Sequence, residues 1–349
     1  MNSLAFQIKS AALEAGYEKC GIIKIAAMAG YEEKLNERME YLPQTRPFYE
    51  RFRGFAHLQD VYPWAKSIVI CVEQYGKYQV PDHLQGLVGK AYLFDSRIDE
   101  HAAGYQASLQ FEAAMQKMGL KTETKRKFGI TGVRWAAVKA GLGIVRRNNF
   151  FYTESGSWVH LEAWLIDQEL ELIDTPTVRA CPEHCNRCVK ACPTASLSKP
   201  YTMNPLACIS FLTTFGGRDL PRETYNAQIG GWIYGCDACQ DVCPMNKNRW
   251  EAKEEFPFLA EISEHISLGK ILSMDYELLQ QILPAKFFYI TKDDVWKWKV
   301  NVINAMVNEY QEKYKEAIYA ACNDSHAKVR EMAEWAVKKL KLPCYASNR

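Results

Sequence analysis

Two short cysteine runs constrain this chain more than any other feature. Cys185-Asn186-Arg187-Cys188-Val189-Lys190-Ala191-Cys192-Pro193 reads C-x2-C-x3-C-P, and Cys236-Asp237-Ala238-Cys239-Gln240-Asp241-Val242-Cys243-Pro244 repeats it. Cys181 precedes the first run and Cys208 lies between the two, so eight of the chain's twelve cysteines fall within one segment. The others, Cys20, Cys71, Cys322 and Cys344, are scattered and read as small buried apolar side chains or inert thiols. A fold for this segment must bring eight sulfurs together.

Eight thiolates are what two [4Fe-4S] clusters need. A C-x2-C turn points two sulfurs at neighbouring irons of one cubane, while the cysteine before proline sits too far along and ligates the other cluster, as in two-cluster bacterial ferredoxins. This assigns Cys181, Cys185, Cys188 and Cys243 to one cluster and Cys192, Cys208, Cys236 and Cys239 to the other. Cys181 to Cys185 is C-x3-C rather than C-x2-C, and His184 in that extra length is a rival ligand to Cys181. Structural zinc uses four thiolates in C-x2-C pairs and does not account for the duplicated x3 spacing. Disulfides do not suit a chain read as cytoplasmic.

That reading of compartment comes from the ends and the charge. The N-terminus lacks a basic segment followed by an apolar stretch, and the longest apolar runs, such as Ile68-Val69-Ile70-Cys71-Val72, are strand-sized, so no membrane is expected. With 349 residues, 48% hydrophobic residues and a formal charge of +2, the chain has globular composition and no bulk charge for coating nucleic acid.

The pattern divides into an α/β part over 1–175, a two-cluster module over 176–250 and a helical part over 251–349. The expected class is α+β. Helical period marks 3–16, 30–41 and 99–118, with strands at Gly21–Ile25, Ser67–Glu73, Asn149–Tyr152 and Trp158–Leu165. The last two are joined by the turn residues Glu154-Ser155-Gly156-Ser157. Toward the C-terminus, Val295, Trp298, Val302, Ala305 and Met306 share one helical face, and Val329, Met332, Ala333, Ala336 and Val337 another. Asn323-Asp324-Ser325 can cap the second helix. Such paired helices are HEAT-like. Lysines and arginines there, Lys313 to Lys341, are nearly offset by glutamates, so a solvated charged face competes with an RNA-backbone surface.

Several stretches resemble the epoxyqueuosine reductase family. They are Ile229-Gly230-Gly231-Trp232-Ile233-Tyr234-Gly235-Cys236 running through Cys243-Pro244, Cys208-Ile209-Ser210-Phe211-Leu212-Thr213, Ala140-Gly141-Leu142-Gly143 with Arg147-Asn148, and Gly156-Ser157-Trp158. The resemblance runs over roughly 5–340. It implies a cobalamin- and iron–sulfur-dependent oxidoreductase related to reductive dehalogenases. A base-off corrinoid would lie between the N-terminal domain and the ferredoxin-like module, taken to Co(I) by electrons delivered singly. The implied substrate is epoxyqueuosine in a tRNA anticodon loop, which loses its epoxide oxygen while a protein acid supplies a proton. An external donor such as flavodoxin or ferredoxin would feed the clusters. On this resemblance Asp99, Arg147, Asn148, Ser157, Ser210 and Tyr234 are the cofactor-binding candidates.

The substrate side departs from the family. Its aspartate acid, about thirteen residues before the Ala-Gly-Leu-Gly turn, corresponds to Lys127 here, with Glu123 the nearest carboxylate. Lys127, Tyr92 and Arg134 are therefore the candidate proton donors, Lys127 by a pKa lowered on burial and Tyr92 by likeness to the dehalogenases' tyrosine. Asp99-Glu100-His101 reads as a helix start with Asp99 as N-cap, not as a corrinoid loop. Two other readings stay open: the same engine acting on a different small electrophile, and an electron carrier for another corrinoid protein.

Overall fold

A computed structural model describes residues 3–94, 97–98, 100, 102–214, 228–256 and 259–343. Helix and sheet are mixed. A four-stranded sheet runs in the order β1-β2-β4-β3, with β1 at Lys19–Lys24, β2 at Ser67–Gln74, β3 at Thr122–Glu123 and β4 at Val159–Ile166, and every pairing is antiparallel. The continuous run Ser67-Ile68-Val69-Ile70-Cys71-Val72 is buried throughout because helices cover both faces of the central strands.

On one face, α1 (Leu4–Glu14) and α4 (Ala103–Lys117) pack Ile8, Phe111 and Met115 against Cys20, Val69, Cys71 and Trp164. On the other, α5 (Val133–Lys139) and the following turn pack Ala136, Ala140 and Leu142 against Ile68, Ile70 and Leu165. Cys20 and Cys71 are register partners inside this core, as their apolar surroundings led one to expect.

Asn149–Tyr152 does not pair with β4. Phe151–Tyr152 pairs instead with Ile144–Val145, and Thr153 and Gly156 close a tight turn that carries the chain away into β4. The glycines of Ala140-Gly141-Leu142-Gly143 are steric requirements. Gly141 has φ +71°, and a Cβ there would lie 1.7 Å from the Asp174 carbonyl oxygen. A Cβ on Gly143 would lie 2.2 Å from the Tyr152 carbonyl oxygen.

The C-terminal helices are α6 (Trp296–Asn308), α7 (Lys315–Ala321) and α8 (Ala327–Lys339). Their core is continuous with N-terminal residues: Tyr75, Leu84, Leu93 and Phe94 belong to the same buried cluster as Trp298, Ile303 and Met332. Asp324 accepts from the His326 backbone N–H at 2.8 Å and pairs with Lys299 at 3.0 Å, so it ties the turn before α8 to α6; the N-cap itself is His326, without a side-chain cap hydrogen bond, and not one of Asn323-Asp324-Ser325. Among the described residues, no helix is long and apolar enough to cross a membrane.

Candidate functional site

The fold sorts the cysteines into two groups. Cys181, Cys185, Cys188 and Cys243 line one cavity together with Arg146, Arg147, Asn148 and Arg187. Cys192, Cys208, Cys236 and Cys239 are mutual electrostatic neighbours in a second group. Each group therefore takes its C-x2-C pair from one run and its pre-proline cysteine from the other. The short helices Arg187–Ala191 and Ala238–Asp241, one from each run, pack against each other and produce this exchange. His184 is exposed, whereas Cys181 stands beside Cys188.

Burial pushes the Cys236 thiol up to about 12, with the charges of Cys208, Asp237 and Cys192 adding to it against the Ala238 backbone N–H. Cys208 and Cys239 are raised by burial in the same way. Unmetallated, these sulfurs hold their protons; bound iron supplies the positive charge that makes buried thiolates stable. Among the described residues, no three His, Cys, Asp or Glu side chains converge closely enough to hold a single metal ion.

Polar residues around the module secure it. Arg146 is buried and its Nη1 donates to the Cys181 sulfur at 3.6 Å while its Nη2 donates to the Arg179 carbonyl. Arg147 donates to the Glu183 carbonyl and to Asn186 Oδ1 at 3.2 Å, holding the loop that carries Cys185. Asn148 Nδ2 donates to the Tyr152 hydroxyl at 2.8 Å and to the Cys239 carbonyl at 3.1 Å. Ser157 accepts at Oγ from Gln240 at 2.9 Å and Asn246 at 2.8 Å, and its backbone N–H donates to Asn246 Oδ1 at 2.9 Å. Tyr234 is fully buried, stacked on Trp298 at 4.9 Å, and its hydroxyl accepts from the Tyr289 N–H at 3.0 Å. These four cofactor candidates thus face the clusters or the core.

A further region adjoins the second quartet. The Tyr92 hydroxyl and Ser210 Oγ share a hydrogen bond at 2.6 Å, two residues from Cys208. The Tyr92 ring meets Tyr289 edge-on at 5.8 Å, and Arg97 Nη2 donates to the Tyr289 hydroxyl at 2.9 Å. Lys127 lies over Phe128 and Phe288 at 5.4 and 5.3 Å. Lys127, Tyr92 and Ser210, remote in sequence, are therefore joined through Phe288 and Tyr289, whose rings lie 4.7 Å apart.

The sequence-based premise of a buried Lys127 is corrected: Arg126 turns inward to Glu112, which leaves Lys127 exposed. Arg134 is elsewhere, donating to the Asn149 carbonyl beside Arg38, which binds Asn149 Oδ1 at 2.9 Å. Asp99 and His101 lie outside the described residues. Trp298 is core, and Trp296 stacks on His326 at 4.7 Å. Lys315 and Lys328 pair with Glu312 and Glu331 at 3.0 and 3.6 Å, so part of the C-terminal basic surface is neutralised. Sequence reasoning missed Arg97, Phe288 and Tyr289, whose contacts with one another and with Tyr92 no local pattern signals.

Residues 180–246 match the 4Fe-4S double cluster binding domain family, a span that contains all eight cysteines. An epoxyqueuosine reductase of Prochlorococcus marinus (strain NATL2A) is 27% identical over 328 residues, covering 86% of this chain and 96% of that protein. The epoxyqueuosine reductase of Bacillus subtilis (strain 168) is 30% identical over 236 residues, covering 66% of this chain and 58% of that one. A crystal structure of epoxyqueuosine reductase with an epoxyqueuosine-modified tRNA stem loop shares the fold, with a TM-score of 0.78 at 23% identity over 97% of this chain and 90% of that one. In its double-cluster module and along most of its length, this chain is similar to epoxyqueuosine reductases.

Proposed function

We propose that this protein is an iron–sulfur reductase that removes the epoxide oxygen of epoxyqueuosine in tRNA. The observation that carries this reading is the assembly of two cysteine quartets, one of which adjoins the hydrogen-bonded Tyr92–Ser210 pair through Cys208. Its relatives and the stem-loop complex of its structural neighbour supply the substrate class.

The quartets play different parts. Cys181, Cys185, Cys188 and Cys243 open to a cavity edged by Arg146, Arg147 and the exposed Arg187. Such a rim attracts an acidic one-electron carrier of the flavodoxin or ferredoxin kind. Electrons entering there pass to the second quartet and on toward Tyr92 and Ser210.

Cobalamin belongs to this proposal through the family resemblance. The donors Tyr92, Ser210 and Arg97 suit the amide-rich edge of a corrinoid, and Ser210 and Tyr92, with Asp99 from beyond the described residues, are the side chains we assign to hold it. When bound, it would supply a strongly reducing, nucleophilic metal centre. The protein's share is to orient the substrate against the Phe128, Phe288 and Tyr289 walls, exclude water and move a proton. We place the protein in the cytoplasm with tRNA, and we read residues 1–175, 176–250 and 251–349 as cofactor-binding, ferredoxin-like and HEAT-like parts.

The test is direct. Protein with reconstituted clusters and added cobalamin, given a low-potential reductant and an epoxyqueuosine-bearing anticodon stem loop, should yield RNA lighter by one oxygen atom in mass spectrometry. Unchanged RNA under conditions where the clusters turn over would overturn the reading. Lys127 in place of the family's aspartate favours one alternative, the same machinery acting on another small electrophile; reduction of an organohalide with the stem loop untouched would establish it.

A further inference from the structure

Positive charge collects without a counter-charge where the helix Tyr31–Tyr41 meets the turn after Arg147. Arg38 donates from Nη2 to Asn149 Oδ1 at 2.9 Å and from Nη1 to the Tyr49 hydroxyl at 3.4 Å. Arg134 donates to the Asn149 carbonyl, so two guanidiniums share one asparagine. Among the described residues neither arginine pairs with a carboxylate, and the cation acting on Arg134 is Arg38. Asn149 is 4% exposed, and its Nδ2 has no acceptor. Like charges at close quarters repel, and a buried donor without an acceptor is costly. The cluster has donors to spare and lacks an anion.

A cavity stands against it. Arg38 and Tyr49 line a space of about 320 Å³ together with Lys34, Glu37, Lys199 and Met203, a size at the lower end of small-ligand sites. Its walls are tied down: the Tyr49 hydroxyl donates to the Met203 carbonyl at 3.2 Å, and the Tyr201 N–H donates to the Arg147 carbonyl at 2.9 Å. Lys34 pairs with Glu37, which leaves Arg38 and Lys199 as the uncompensated cations of the lining among the described residues. Lys199 Nζ lies 3.6 Å from the centre of the Tyr41 ring instead of on a carboxylate.

The cavity also adjoins the second quartet. Phe48, next to Tyr49, meets Phe211 edge-on at 5.4 Å, and Phe211 follows Ser210 in sequence.

We propose that this cavity binds a phosphate group, with Arg38 and Lys199 as its charged donors and Arg134 adding to the positive field from its place on Asn149. A guanidinium matches phosphate oxygens two at a time, and a lysine serves as a point charge beside it. Two sources share this chemistry: a backbone phosphate of the RNA and a free phosphate compound. The RNA source rests on the reductase reading and deepens it, since it seats the strand beside Phe211 and Ser210. The free source does not depend on that reading.

The experiment titrates the cluster-loaded, full-length protein with inorganic phosphate and, separately, with an anticodon stem loop lacking epoxyqueuosine. Phenylglyoxal labelling mapped by mass spectrometry reports whether Arg38 is covered; calorimetry and filter binding report affinity. At least one probe should protect Arg38 where chloride at the same ionic strength does not. Arg38→Met and Lys199→Met should each weaken binding of that probe about fivefold or more and, for the stem loop, lower the slope of log affinity against log salt by about 1. Lys199 is exposed and rests on one ring, so Lys199→Met keeps the test valid even if Arg38→Met loosens the Asn149 turn. Protection by the stem loop with a reduced slope assigns the site to RNA. Protection by inorganic phosphate, with stem-loop affinity parental in both variants, assigns it to a free phosphate compound. Arg38 labelled equally with and without both probes, or parental affinity for both probes in both variants, overturns the proposal. Neither probe is reduced, so inactivity toward epoxyqueuosine would sink the substrate reading and leave the phosphate site standing.

Discussion

Arg146 donates from Nη1 to the sulfur of Cys181 at 3.6 Å, a buried guanidinium against the outermost ligand of the more accessible quartet. A positive donor at a cluster sulfur favours the reduced, more negative state. Arg146→Met should therefore lower that cluster's potential. Loss of about 1 kcal/mol of interaction corresponds to roughly 40 mV for one electron, from the equivalence of about 59 mV to a tenfold change. A redox titration followed by electron paramagnetic resonance would show one signal moving and the other staying.

Exchange of ligands between the runs makes a second prediction. Cys192→Ala should impair the cluster of Cys208, Cys236 and Cys239, although Cys192 is continuous in sequence with Cys188. Cys243→Ala should impair the cluster of Cys181, Cys185 and Cys188. Iron near four atoms per chain with one surviving spectroscopic signal is the expected result. The opposite pairing of variants with signals would show that each run keeps its own ligands.

Asn246 offers a test of how the module is fastened. Its side chain makes three hydrogen bonds, from the Ser157 N–H and to Ser157 Oγ and the Gln240 carbonyl. Asn246→Ala leaves the buried Ser157 N–H unpaired, while Ser157 Oγ keeps Gln240 and the Gln240 carbonyl keeps the Cys243 N–H, and should cost about 1–3 kcal/mol. Chemical denaturation of the loaded protein should show the loss, and the same change at the exposed Asn186 should cost less.

Gly141→Ala should be worse. The new methyl would meet the Asp174 carbonyl at 1.7 Å in a left-handed backbone conformation, so more than about 3 kcal/mol is expected. Soluble yield and melting temperature report it; a variant with parental stability would refute the steric account.

Acid should loosen the segment leading into the first run. Burial disfavours the charge of Glu154, but Lys19 at 2.5 Å and Thr177 hold its carboxyl down to about 2. Its folded value lies below the ordinary one, so its stabilisation is present above about pH 4.5 and fades as pH falls toward 2. Glu154 is partly exposed, which limits the effect to about 1 kcal/mol. Glu154→Gln should flatten stability across that window in thermal melts.

Cysteine spacing made the module legible because ligand geometry is a local property of the chain: C-x2-C and the proline after the third cysteine state it outright. Helices such as Tyr31–Tyr41 and strands such as Ser67–Gln74 were legible from hydrophobic period. The contacts that join Tyr92, Arg97, Lys127 and Tyr289 were not. Tyr92, Arg97, Lys127 and Tyr289 meet only because Tyr75–Phe94 shares a core with the C-terminal helices, and no local pattern encodes a contact across that distance. Lys127 was expected to be buried and is exposed, since nothing in Lys125-Arg126-Lys127 says which side chain turns inward. Phe151–Tyr152 was assigned as a strand, yet its partner is set by the glycines of the preceding turn.

The interlaced ligands also govern how this protein comes into being and how it fails. Neither run owns a full set of sulfurs, so a nascent chain that has emerged only as far as Cys192 can complete no cube, and maturation must wait for Cys243. Damage travels the same way: oxygen that strips the cube held by Cys181 frees Cys243, slackens the turn carrying Cys236 and Cys239, and exposes its twin.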